Sequence, residues 1–258
     1  MMAFITRHKT ELQKALAGLL GLGGIFLLWS ILSASYHPLI FPSPRETWQA
    51  LGDLWEEGSL VPSIAITLHR TLYGYGLALL IGFSLAAFSR IGAFWQALLK
   101  PVLAVVQIIP PVVWTILAVI WFGISGGGAP VFLIFIVTLP LAFSQAAAGL
   151  EGIDRRLVEM SQVYRCRKSR VLRDIYLPAL VPHLAATLGV GFSFAWKAAI
   201  FAEFMGSTSG VGFLLSTANS NLDTERVFAW VVVLAVLMLI CEYGLLIPLR
   251  RRAARWCS

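Results

Sequence analysis

Few residues in this 258-residue chain have types and spacings that support chemistry, and they are unevenly spread. Seven Arg or Lys residues fall between Arg155 and Arg173, the one long polar run in a sequence that is 58% hydrophobic. Elsewhere ionisable groups stand singly inside apolar runs: Lys197, Glu203 six residues on, and Glu242. No His, Cys or carboxylate cluster has metal-ligand spacing, and no nucleophile is set beside a base. The glycine-rich run from Gly123 to Pro130 lacks the Lys-Ser/Thr of a phosphate loop, so the chain does not bind ATP in that way. The chemistry left is that of contact: a basic segment that docks, and isolated charges that hold an ion or one another.

The basic segment cannot sit in hydrocarbon, where a single Arg at the bilayer centre costs about 2.5 to 3.5 kcal/mol. It therefore lies in water between two spans. Leu157, Met160, Val163 and Tyr164 follow steps of three and four, predicting a short helix with one apolar face. Val171, Leu172 and Ile175 repeat the arrangement. Two short helices joined at a basic corner and stopped by Pro178 would form a knob whose apolar stripe and basic rim suit a groove on a partner protein. On charge alone, a solvated loop or a patch on anionic lipid is the favoured reading.

Spacing separates these readings. Glu159, Met160 and Ser161 are followed by three residues, Arg165, nine residues, and then Ile175, Tyr176, Leu177 and Pro178. This resembles the EAA loop in the membrane subunits of bacterial ABC importers: Glu-Ala-Ala, three residues, Gly, nine residues, then Ile, any residue, Leu-Pro. Glu159, Ile175, Leu177 and Pro178 match; Met160, Ser161 and Arg165 depart, with Arg165 in the glycine position. Glycine permits a sharp bend that arginine resists, which leaves open a looser turn or one continuing helix. The resemblance implies that Glu159, Met160, Ser161, Tyr164, Arg165, Arg167, Leu177 and Pro178 contact a separate ATPase subunit.

The elements that must position these residues follow from composition. Only 13% of residues are charged, against about a quarter in soluble domains. The chain is read as an all-α polytopic membrane protein with about six spans: 15–34, 69–90, 101–123, 131–150, 182–204 and 227–249. A basic arm, 1–14, precedes a transmembrane domain, 15–249, whose cytosolic loop is 151–180; a basic tail, 250–258, follows. The arm could pass for a secretory signal, but no small-residue cleavage site follows it, so the first span is expected to be retained. The arm, the Arg90 to Lys100 loop, the 155–173 loop and the tail hold sixteen of the twenty basic residues, leaving Arg45, Arg70, Arg226 and Lys197 elsewhere. That bias puts both termini in the cytosol and accounts for the net charge of +7 without a nucleic-acid partner. Cys166, Cys241 and Cys257 are expected to be reduced.

Between the first two spans, Trp48, Leu51, Leu54 and Trp55 suggest either an amphipathic helix along the membrane interface or a plain loop. Gly74, Gly76 and Gly82 permit close approach of a neighbouring helix. Pro110 and Pro111 bend the third span, and with Gln107 and Trp114 they are candidates for a pathway wall or for ordinary packing. Residues 206–226 read as an outer loop or a short re-entrant turn. Lys197 either presents a cation to an anionic substrate, snorkels outward, or pairs with a carboxylate on another helix. It lies roughly 240° from Glu203 around the helix, so the two are not an obvious pair. Glu203 is a further pathway candidate, as a structural or gate contact.

A wider likeness joins these features. FPSP at 41–44, His69-Arg70, the Ile-Ile-Pro-Pro ending at Pro111, Trp-Phe-Gly at 121–123, Ala202-Glu203-Phe204 and Gly210-Val211-Gly212 resemble the nitrate, sulfonate and taurine class of importer permeases, over roughly residues 38–250. The resemblance implies a type I ABC importer transmembrane domain in a bacterial inner membrane. It implies a homodimer of two permease copies, two ATPase subunits that bind ATP and Mg, and a periplasmic or lipid-anchored substrate-binding protein. The permease itself would hold no cofactor, catalyse no reaction, and contact membrane lipid. A self-contained channel or secondary transporter, in which the basic loop only sets topology, remains the alternative.

Overall fold

The computed structural model describes residues 2–248, so the tail at 250–258 lies outside the described residues. Among the described residues every regular element is helical, and they form two compact units. One contains the described residues up to Glu57 together with Ala218–Val232; the other contains Gly58–Thr217 and the chain from Val233 onward.

The first unit opens with α1 (Met2–Ser35). With no glycine or proline before Gly18, nothing interrupts the backbone, and the arm is helical and continuous with the first span. Next comes α2 (Pro44–Glu56), whose start is doubly fixed. The Ser43 hydroxyl accepts from the Glu46 amide, the Glu46 carboxylate accepts from the Ser43 amide at 2.7 Å, and Pro44 presets the first turn. Thr47, Ala50 and Leu54 are buried, whereas Trp48 and Trp55 are exposed, so of the two readings of this stretch the amphipathic helix is the one present. Trp29 packs tilted and Phe41 edge-on against Phe228, and Arg226 closes the unit with a two-toothed ion pair to Glu57 at 2.6 and 3.2 Å.

The second unit is built around α6. It holds α3 (Leu60–Ser89), α4 (Ala93–Ile108), α5 (Pro111–Phe122), α6 (Gly128–Glu151), α7 (Arg155–Val163), α8 (Lys168–Val171), α9 (Leu177–Gly206) and most of α10 (Val211–Ser220). The later part of α11 (Thr224–Cys241) also belongs to it. Helices α3 and α9 pack along α6. Two of the three glycines on α3 make this possible: a Cβ on Gly74 would lie 2.8 Å from the Val131 carbonyl oxygen, and one on Gly82 would lie 2.7 Å from the Ala142 Cβ. Gly76 faces open space. Tyr75, Ile134, Phe192 and Trp196 fill one core cluster, and Leu103, Leu139, Phe143 and Leu150 fill the other.

Among the described residues, four helical stretches are long and apolar enough to cross a membrane: Leu60–Ser89, Gly128–Glu151, Lys168–Gly206 and Thr224–Gly244. Helices α4 and α5 qualify together as a broken pair, and α1 adds the shorter apolar stretch Leu20–Ser35. Three sequence expectations change. The second span begins at Leu60 rather than at His69 and Arg70, so Arg70 stands inside it. The third span is not one bent helix: α4 and α5 meet at 94°. Ile109 and Pro110 each precede a proline, which disfavours helical ψ, and both are extended at ψ 124° and 142°. Two such residues in succession break the helix, and Pro111 then starts a new one. Residues 206–226 also contain a helix, α10, rather than only a loop or turn.

Pro178 does not stop the second half of the basic loop either. The chain from Lys168 runs as one helical stretch to Gly206 through a π-helical turn at Leu172–Tyr176. The proline ring would press on the carbonyl four residues back, that of Asp174, and the widened turn relieves this contact. A second π turn, Glu242–Leu246, stands in the same relation to Pro248.

Candidate functional site

The loop between α6 and α9 begins at Asp154, whose carboxylate accepts from the Arg156 amide at 2.9 Å and so caps α7. Leu157, Met160, Val163 and Tyr164 lie on or just past α7, and their exposure runs from 45% to 80%. Four large apolar side chains thus stand uncovered in a basic segment. Glu159 is exposed beside them and lines a cleft of about 180 Å³ with Arg90, Ile153 and Tyr176. Ser161 is buried, its hydroxyl donating to the Val158 carbonyl, whereas Arg165, Arg167, Leu177 and Pro178 are exposed.

The corner at Arg165 is sharp despite the missing glycine. Arg165 has φ 47°, in the left-handed region. Its amide donates to the Gln162 carbonyl at 3.0 Å, and the Cys166 amide donates to the Ser161 carbonyl at 2.9 Å. That pair of bonds is a Schellman helix ending, whose left-handed residue is normally glycine. The loop thus keeps the bend with an arginine in it, at a conformational cost of roughly 1 to 2 kcal/mol. Arg165→Gly is therefore expected to steady the end of α7 by about 1 kcal/mol. Hydrogen exchange of the α7 amides should slow about fivefold; faster exchange would mean that the arginine side chain, not the bend, holds the corner.

A second constellation, missed in the sequence, surrounds Arg70. Its guanidinium donates through one Nη to Glu203 at 2.8 Å, to the Ser207 hydroxyl at 3.2 Å and to the Ser209 carbonyl at 2.8 Å, and through the other to the Ser209 hydroxyl at 2.8 Å. Glu203 is completely enclosed and also accepts from Thr67 at 2.7 Å and from the Gly212 amide at 3.1 Å. The Thr67 hydroxyl in turn accepts from the Val211 amide at 2.9 Å. Gly127, at φ 67°, lets the α5–α6 turn press against the guanidinium, since a Cβ there would lie 3.1 Å from it. The network ties α3, the end of α9 and the start of α10 together around one buried ion pair. The available signal was charge balance: an Arg and a Glu in two different apolar runs neutralise each other.

The six pathway candidates are distributed differently. Glu203 faces inward, while Lys197 lies on the exposed side of α9, with no ion pair among the described residues. Val190, Phe194, Phe201 and Met205 share its stripe at steps of three and four, all at least 36% exposed. Gln107, Pro110 and Pro111 are exposed at the α4–α5 break. Trp114 spans that break, its indole donating to the Val106 carbonyl at 3.2 Å and so satisfying part of the last turn of α4. Gln107 also lines a cleft of about 300 Å³ with Lys100, Ser144 and Glu151, at whose edge Lys100 pairs with Glu151 at 3.2 Å. Among the described residues no group of His, Cys, Asp and Glu could hold a metal ion.

Comparison with known proteins adds the following. Residues 78–245 match the family described as binding-protein-dependent transport system inner membrane component. The taurine transport system permease protein TauC of Escherichia coli K12 is 27% identical over 235 residues, covering 88% of this chain and 84% of that one. The putative aliphatic sulfonates transport permease protein SsuC of Bacillus subtilis 168 is 27% identical over 225 residues, covering 85% and 80%. Among solved structures, the inward-facing MetNI methionine ABC transporter aligns with a TM-score of 0.65 at 15% identity, covering 78% of this chain and 97% of that one. This last likeness is one of fold.

Proposed function

Because the chain belongs to the family of binding-protein-dependent transport system inner membrane components, we propose that this importer permease works as a homodimer for a small sulfonate anion. Two ATPase subunits drive it from the cytosol. Each grips the α7 knob, and closure of the ATPase pair on ATP moves the knob and, through the continuous helical stretch from Lys168 to Gly206, the span behind it. The observation that carries this reading is the uncovered apolar face of α7, set in a basic loop that the positive-inside bias assigns to the cytosol. The same bias supports cytosolic termini.

Lys197 supports the substrate class. An ammonium on an otherwise apolar, exposed stripe is costly against lipid and is favoured where the stripe faces water and an anion. The names of the TauC and SsuC relatives point to taurine and aliphatic sulfonates. A substrate-binding protein outside the membrane would deliver the solute.

Purification tests the proposal. An ATPase subunit is expected to co-purify with the wild-type chain and to be lost on Glu159→Lys, which sets a cation at the centre of the docking face. Transport by the chain alone in ATP-free vesicles would instead support the self-contained transporter.

A further inference from the structure

We propose that the first unit holds one phosphatidylglycerol molecule in the groove between α1 and α2. The groove has a volume of about 700 Å³, within the size range of small-molecule sites. On α1 its wall is Phe26, Ser30 and Ser33, which follow steps of four and three along one face. The same face continues one turn earlier to Leu22, and both Leu22 and Phe26 are more than half exposed. Along α1 the wall therefore passes from apolar at Leu22 and Phe26 to polar at Ser30 and Ser33, the order in which a phospholipid presents its chains and its headgroup. Trp48 stands at the boundary, as tryptophans do at headgroup level.

The hydrogen-bonding groups select the headgroup. The Ser30 and Ser33 hydroxyls already donate to the carbonyls of Phe26 and Ser30, and that of Ser43 donates to Glu46. What the serines offer a ligand is lone pairs, which suit the hydroxyls of a glycerol headgroup, while the Arg45 cation in the same lining disfavours an ammonium or choline headgroup. Arg45 and Gln49 supply donors for a phosphate, and among the described residues Arg45 has no carboxylate partner. A second observation points the same way. The Thr47 hydroxyl is buried without a hydrogen-bond partner, and Thr47 lines an adjoining apolar cavity of about 200 Å³ that shares Phe26, Pro44 and Trp48 with the groove. An orphan hydroxyl of that kind is costly, and the ester carbonyl of a diacyl lipid, a few bonds from its phosphate, would accept from it. A free phosphate would leave it unsatisfied.

The test is native mass spectrometry of the full chain from vesicles of equal phosphatidylglycerol, phosphatidylethanolamine and phosphatidylcholine, with glycerol phosphate as the soluble competitor. Expected is selective retention of phosphatidylglycerol, reduced at least fivefold by Arg45→Gln and by Thr47→Val. Glycerol phosphate at millimolar concentration should not displace it. Thr47→Val should raise the thermal stability of the lipid-free protein in detergent while weakening retention, which a purely structural threonine would not do. Equal retention of the three lipids, or retention unchanged by both variants, would overturn the proposal. So would displacement by glycerol phosphate, or loss of substrate-binding-protein association on Arg45→Gln with lipid retention intact.

Discussion

Arg70→Met is expected to destabilise the folded permease by about 3 to 5 kcal/mol, the usual cost of stranding a buried charge. Glu203 would be left enclosed with only the Thr67 hydroxyl and the Gly212 amide as donors. Glu203→Met should be about as harmful, because it strands Arg70 and removes the acceptor of those two donors. The double substitution should cost less than the sum of the two, since no unpaired charge remains, although the orphaned Thr67 and Gly212 groups keep it below wild type. Thermal unfolding in detergent, run as a double-mutant cycle, measures this. Additive losses would mean that the 2.8 Å contact carries no coupling. The second unit should fail as a whole in the single variants, because the network joins three of its segments.

The second large effect concerns transport rather than folding. Lys197→Met should lower uptake at least tenfold, a loss of about 1.4 kcal/mol of interaction with the moving anion. Folding should be unchanged, because Lys197 is exposed and the stripe around it is already apolar. ATPase association should persist, since Lys197 is not part of the α7 patch. Uptake assayed in vesicles with the ATPase and binding protein present separates the outcomes. Normal uptake would remove Lys197 from the pathway and favour a lipid-facing stripe with a snorkelling lysine.

What the sequence made legible follows from which forces are local. Hydropathy marked the apolar runs because burial of a whole helix is a sum over its residues, and the amphipathic step pattern found both α2 and α7. The double proline announced a bend, but its angle needed the further point that Ile109 and Pro110 are both pre-proline residues. Two expectations fail for different reasons, one long-range and one local. Nothing local in the sequence pairs Arg70, so it reads as the edge of a span; its partner Glu203 lies 133 residues on. Pro178 reads as a stop because the π turn that accommodates it has no signature in residue type. Arg165 shows the converse. Arginine disfavours a left-handed φ, yet the two backbone hydrogen bonds that close the helix end outweigh that preference.

The central claim, that the α7 knob is the contact through which a separate ATPase moves this permease, is tested most directly by disulfide cross-linking. A single cysteine at Val163, the most exposed apolar position of the knob, would be paired with cysteines placed around the groove of the co-expressed ATPase, on a permease background free of other cysteines. The account predicts a cross-link in high yield at one groove position, which survives ATP binding, blocks turnover when formed and releases it on reduction. A cysteine at Val163 that remains fully reactive to a water-soluble maleimide in the assembled, active transporter would contradict it.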